Sequence, residues 1–338
     1  MKIRRYARSM TPFSSLSDLP QRLRQPVVRD LAWVLLSPPL LCSTPWPQRH
    51  PLTASAWSRT PGVLADWLLR QDQDSAALLT WLAQSSVRRL GLYYERLWQF
   101  ALRAAPGVEL LAANLPIRQS GHTLGELDLL LRDEEGVHHL ELAVKLYLGP
   151  EHASGDQPAH WLGPGSHDRL DIKLDHLSQH QLPLSARGEA RAVLAELATA
   201  EAQAALWLGG YLFYPWPTTC QPPQGANPQH LTGHWLHQRD WRSFIGQGRP
   251  GTWQPLPRQA WLAPARIDTH DLWPVAQLEH WFDDLHPVSN AQLLVRLQPT
   301  PQGDWVEKER VFLVDDAWPM TEVQDQRLRS VRPPERAR

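Results

Sequence analysis

A chain of 338 residues, 42% hydrophobic and 20% charged, has the composition of a folded protein with ample core and excludes a disordered one. Its formal net charge of −1 supplies no global basic field for nucleic acid, so any such contact must come from local patches. Two cysteines, Cys42 and Cys220, exclude a disulfide framework and a cysteine-rich zinc site, and fit a reducing compartment such as the cytoplasm.

The N-terminus, MKIRRYARSMTPFSS, is basic but has no apolar stretch behind it and does not read as a secretory signal. The longest apolar runs, such as LAWVLL at 31–36, fall far short of the roughly 20 residues that cross a bilayer, so no membrane partner is expected. Residues 1–84 read as mainly helical. VVRDLAWVLL (27–36) is amphipathic and stops at Pro38-Pro39. TPGVLADWLLRQ (60–71) opens with a threonine cap and a first-turn proline, and SAALLTWLAQS (75–85) follows.

SVRRLGLYYERLWQFALRA (86–104) predicts a strong helix with an apolar stripe at Leu90, Tyr94, Leu97 and Ala101 and a charged one at Arg89, Arg96 and Arg103. Glu95 falls on a face more apolar than most glutamates occupy. Three strands follow, at 108–118, 123–131 and 137–148, the last two joined by a tight turn at DEEG (133–136). If Glu134-Glu135 is the loop, opposed residues sum to 269 and Asp128 lies across from Glu141; if Glu135-Gly136 is, the sum is 271 and Glu126 faces Lys145. Either register puts Glu126, Asp128, Glu141, Ala143 and Lys145 on one face, and Leu127, Leu129, Leu131, Leu140, Leu142 and Val144 on the other.

After a Gly/Pro-rich loop, HDRLDIKLDHLSQHQ (167–181) predicts a helix carrying Arg169, Lys173, His176 and His180 as a cationic stripe, either a phosphate-contacting surface or a solvated face. AALWLGGYLFYP (204–215) reads as a buried strand whose glycine pair marks a close backbone approach. From 216 to 320 the signals are β-like, at 234–237, 259–267, 291–298 and 305–315, with one helix near 274–285. The last dozen residues form a basic tail with the composition of disorder. Seventeen tryptophans are expected mostly as large core fillers, with base stacking as the alternative. The His152, Asp156 and His160 set reads as loop composition.

Two carboxylates on neighbouring strands with a lysine on the same face suit divalent-cation phosphodiester hydrolysis. Mg²⁺ needs only one or two protein carboxylates and keeps its waters, and a lysine can hold the attacking water or neutralise growing charge. GELD followed by ELAVK, between a glutamate-bearing helix and a helix with basic residues, resembles the PD-(D/E)xK nuclease superfamily. LGLYYERLWQF, LLAANLPIR, TLGELDLLLRD, HHLELAVKLYLGP, GYLFYPW and WVEKERVFLVDDAWP more narrowly resemble a bacterial family known only as domain-of-unknown-function family 1853, over roughly 25–320.

The resemblance implies an α/β fold with a restriction-endonuclease-like αβββαβ core at 85–215. It would be flanked by a helical cap at 1–84, a β-rich region at 216–325 packed on the core, and a tail at 326–338. It implies Asp128 and Glu141 as ligands of Mg²⁺ or Mn²⁺, Glu95 as an assisting acid, and a nucleic acid as substrate. The superfamily lysine falls two residues after the second acid, where this chain has Ala143. Lys145 is four residues on, roughly 13 Å along the strand, so either Lys145 reaches back, or Lys173 substitutes, or hydrolysis is lost. The alternative is therefore a catalytically inactive module that binds nucleic acid or a protein.

Overall fold

The computed structural model describes residues 11–85, 89–197, 201–285 and 290–319. Helices α1 (Leu19–Arg22), α2 (Pro26–Leu36), α3 (Ala56–Arg59), α4 (Pro61–Gln73) and α5 (Ala76–Ala83) precede the long α6 (Leu90–Ala104). The meander β1 (Glu109–Gln119), β2 (His122–Asp133) and β3 (Gly136–Leu148) follows, then α7 (Leu170–His176), α8 (Gly188–Leu197) and β4 (Gln203–Pro215). The rest is β5 (Leu231–His237), α9 (Trp241–Ile245), β6 (Thr252–Leu256), β7 (Arg266–Ile267), α10 (Val275–Asp283), β8 (Gln292–Pro299) and β9 (Trp305–Val314). Among the described residues no helix is long and apolar enough to cross a membrane.

All nine strands join one mixed sheet, ordered β1-β2-β3-β4-β5-β9-β8-β6, with β7 paired to β9. The meander is antiparallel; β3, β4, β5 and β9 run parallel; β8 and β6 return antiparallel. The C-terminal strands thus extend the sheet edge to edge from β4 onward.

Helices cover both sides of the sheet. Tyr94, Leu97 and Trp98 of α6 pack with Leu129, Leu131, Leu140 and Leu142 on one face. Leu170 of α7 and Leu177 pack with Ala143 and Tyr147 on the other. The predicted alternation therefore holds, except that Leu127 lies with Ile117, Leu130 and Leu184 in a separate cluster. Trp33 of α2 stacks on Tyr211 of β4, with ring centroids 5.6 Å apart and planes 9° apart. α2 is buried all round from Val28 to Leu36 rather than along one stripe. Its Asp30 accepts hydrogen bonds from Tyr93 Oη at 2.9 Å and from the Ala263 N–H at 3.0 Å. Ten of the tryptophans are buried core, as their size suggested.

Several local expectations need correction. Thr60 makes no side-chain cap to α4; Pro61 at the first turn starts that helix instead. Residues 259–267 yield only the two-residue β7, because Trp261, Leu262 and Ala263 are buried as a strap whose carbonyls receive the Arg310 guanidinium. The helix predicted over 167–181 ends as α-helix at His176 and continues through a π turn, Leu177–Gln181. Helices α8 and α9 and strand β6 were not among the predicted elements, although GEARAVLAEL in α8 is rich in strong helix formers. Residues 86–88 of the predicted long helix, and the predicted tail at 326–338, lie outside the described residues.

The glycine pair behaves as anticipated. A Cβ on Gly209 would stand 2.9 Å from Tyr94 Oη. Gly210 has φ of 135° and lies against the backbone of Lys145, where a Cβ would come within 1.7 Å of the carbonyl oxygen.

Candidate metal and phosphodiester site

The turn is Glu134-Glu135, so the first of the two registers is the real one: Asp133 pairs with Gly136 and Leu129 with Leu140. There the β2–β3 ladder stops. Beyond it β2 stays with β1 and β3 with β4, so the two strands fork. Asp128 and Glu141 are each one residue past the last pair. The Leu142 N–H, which a continued ladder would give to a β2 carbonyl, donates instead to Asp128 Oδ2 at 2.9 Å.

Glu141 is buried at 1% exposure, and both its carboxylate oxygens are engaged. His139 Nε2 lies 2.8 Å from Oε1, and the Gln181 amide donates to Oε2 at 2.5 Å. Burial pushes the His139 imidazole down to about 4, so it is neutral at pH 7. Nε2–H then faces the carboxylate while Nδ1 takes the Ser185 hydroxyl at 3.0 Å. Glu95 reaches in from α6. Its Oε2 accepts from Asn114 Nδ2 at 3.1 Å, and Asn114 Oδ1 accepts from Gln99 Nε2 at 2.8 Å. Asn114 has φ of 51° in mid-strand, a left-handed conformation that asparagine tolerates better than most residues.

Burial pushes three carboxyl groups up to about 7: Asp128, with Glu141 as second cause; Glu95, with Asp128 second; and Glu141 itself. Lys173 is lowered, first by burial and then by Lys145, while Glu141 and Asp128 oppose the shift. Glu95, Asp128, Glu141 and Lys173 are therefore one electrostatic group, drawn from α6, β2, β3 and α7. No arginine among the described residues pairs with any of its three acids. Largely desolvated acids without an arginine partner fit a hard cation, which would take oxygen donors and keep waters. Glu95, Asp128 and Glu141 do not themselves converge as a closed trio of donor atoms. Among the described residues, trios of donor atoms within 4.8 Å of one another occur only at Asp133, Glu135 and His138 and at Asp268, His270 and Asp271. In the first trio Arg49 already bridges Asp133 and Glu135 at 2.7 Å each, and the second is exposed.

Other predicted residues are placed elsewhere. Lys145 Nζ pairs with Asp168, whose second oxygen takes Tyr147 Oη at 3.2 Å. Arg169 forks onto Asp171 at 2.6 and 2.8 Å. His176 and His180 are exposed with rings 5.4 Å apart, and His176 Nδ1 lies 3.1 Å from Gln181 Oε1. The stripe is thus split: Lys173 faces inward, and Arg169, bound to its own helix, does not extend it. Sequence reasoning missed Asn114, His139, Gln181 and Ser185. A usable signal existed for two of them: an asparagine inside a strand run, and a histidine two residues from Glu141 on the same face. A cleft of about 640 Å³ opens at the C-terminal ends of β3, β5 and β9, beside Glu151, His237 and Trp318; none of the clustered acids lines it.

Fold and site define a mixed α/β protein with a largely desolvated carboxylate cluster at a strand fork, flanked by helices on both faces. The chain belongs to the family described as Domain of unknown function (DUF1853), whose model matches residues 29–314. Neither a curated protein nor a solved structure matches it.

Proposed function

We propose that this protein is a divalent-cation-dependent phosphodiester hydrolase acting on nucleic acid, built on a restriction-endonuclease-like core. The order α6, β1, β2, β3, α7, β4, with β4 parallel to β3, agrees with the αβββαβ arrangement that the sequence resemblance implies, with α8 as an addition before β4. The observation that carries the reading is the group of three arginine-free carboxyls at the fork, Glu141 buried and Asp128 and Glu95 half-buried, with Lys173 beside them.

Asp128 and Glu141, with Glu95 assisting, would hold Mg²⁺ or Mn²⁺, which in such a site polarises a phosphoryl oxygen and acidifies a bound water. The chain's own residues do the rest. Asp128 is fixed by the Leu142 N–H, Glu141 by His139, and Glu95 by Asn114. Lys173, not Lys145, is the cation facing the acids, and it orients the attacking water or offsets charge on the phosphorane. Partial burial strengthens the interactions among these charges.

The deciding experiment incubates purified protein with single- and double-stranded DNA and RNA in Mn²⁺, beside Asp128→Asn. Hydrolysis that requires the cation and disappears in the variant supports the reading; no hydrolysis and no cation binding sinks it. One observation favours a second reading, an inactive binding module: both Glu141 oxygens already have protein partners. That reading expects nucleic-acid or protein binding unaffected by cation or by Asp128→Asn.

A further inference from the structure

Gln181 occupies the junction between the two halves of the site. It closes the π turn, eight residues after Lys173, a separation of about 12 Å along a regular α-helix. Its amide N–H donates to Glu141 Oε2 at 2.5 Å while its Oε1 accepts from Lys173 Nζ at 3.0 Å and meets His176 Nδ1 at 3.1 Å. The orientation follows from charge: a flipped amide would set oxygen against carboxylate and N–H₂ against ammonium. One neutral side chain therefore joins the acid proposed to hold the cation to the base proposed to hold the water.

Resting on the reading above, we infer that Gln181 couples cation binding to release of Lys173. Glu141 Oε1 is held by buried His139, so Oε2 is the oxygen free to exchange its partner. A positively polarised N–H and a divalent cation compete for that oxygen. When Glu141 takes the cation, Gln181 turns away, and its carbonyl leaves Lys173 Nζ in the same movement. Lys173 then has the nearby carboxylates and an incoming phosphate as partners. Before that, it is held by Gln181. By reciprocity, whatever loosens Gln181 from Lys173 also strengthens cation binding.

The test uses the full chain and Mg²⁺ alone. Calorimetry gives the Mg²⁺ affinity of the wild type, Gln181→Leu and Asp128→Asn, with melting and near-UV dichroism as checks of folding. Lysines carrying ¹³C-methyl groups report the environment of Lys173, its signal assigned through Lys173→Arg. Gln181→Leu should bind Mg²⁺ about tenfold more tightly, the worth of one hydrogen bond to a charged group. The Lys173 signal should move on Mg²⁺ addition in the wild type and sit at the moved position in Gln181→Leu without Mg²⁺. Unchanged or weaker affinity in a folded Gln181→Leu overturns the coupling. So does a Lys173 signal indifferent to Mg²⁺ in the wild type, which decides the matter alone if the variant does not fold. If the wild type binds no Mg²⁺, or Asp128→Asn binds it equally, the metal-site reading itself fails, and the coupling with it.

Discussion

The carboxylate of Asp128 takes the backbone N–H of Leu142 at 2.9 Å, standing in for the main-chain acceptor that β2 withdraws where it parts from β3. One side chain thus satisfies a strand's broken ladder and places an acid in the fork. Structure and candidate chemistry depend on the same oxygen.

Asp128→Asn separates those two roles. The asparagine oxygen can still accept from Leu142, so folding should persist with a melting temperature close to the wild type. Cation-dependent hydrolysis should drop by at least about a hundredfold, since removing groups around a metal typically costs 10–100-fold even one step away from it. Cleavage rates in Mn²⁺, measured alongside thermal melts, check both halves.

The two lysines should differ. Lys173→Ala removes the half-buried cation facing the acids and should lower turnover by about a hundredfold at saturating Mn²⁺. Lys145→Ala breaks a partly exposed pair with Asp168, costs under about 1 kcal/mol of stability, and should leave most of the turnover. Equal losses in the two variants would refute this assignment.

Stability should depend on pH and cation together. Asp128, Glu141 and Glu95 have folded values near 7, above their ordinary carboxylate values of 3.8 and 4.5. Groups raised in the folded state favour folding below about pH 4, and that contribution is lost as pH rises through 7. Without a divalent cation, melting temperature should fall across this window, by the equivalent of a few kcal/mol at order of magnitude. Millimolar Mg²⁺ should restore it most at pH 7–8, and Asp128→Asn should flatten the profile.

His50 should act in the opposite sense. Its Nε2 lies 3.0 Å from the Leu35 carbonyl, its Nδ1 accepts from the Leu52 N–H at 3.1 Å, and burial pushes it down to about 3. Below pH 6.5 the unfolded chain gains a proton that the folded chain refuses, so this residue withdraws stability as pH falls from 6.5 towards 3. Histidine ¹⁵N spectra should show the ring neutral, in a single tautomer, down to pH 5.

Gly210→Ala should not fold. At φ of 135° the new methyl would overlap the Lys145 carbonyl on the adjacent parallel strand, a cost of about 4 kcal/mol or more. Soluble yield and circular dichroism would show it directly.

Strand alternation and turn chemistry were enough to place the meander, the face shared by Asp128 and Glu141, and the close approach at Gly209-Gly210. These are local matters, since a period of two and a tight loop fix which face each side chain takes before any other element arrives, while the choice between the two registers fell to the structure. The buried strands of the C-terminal half were also legible where they ran as apolar segments. Their assignment to one continuous sheet was not, because strand order is set by distant pairings such as His234 with Val311.

The sequence by itself determined that two acids would lie near each other on adjacent strands, because hairpin geometry leaves few alternatives. Only the tertiary structure decided that the strands fork there, that α6 and α7 bring Glu95 and Lys173 from different helices, and that Lys145 is spent on Asp168. It also decided that a π turn carries Gln181 between Glu141 and Lys173. The reason is physical: periodicity encodes which way a side chain points from its own element. Which charge it meets depends on packing between elements far apart in the chain.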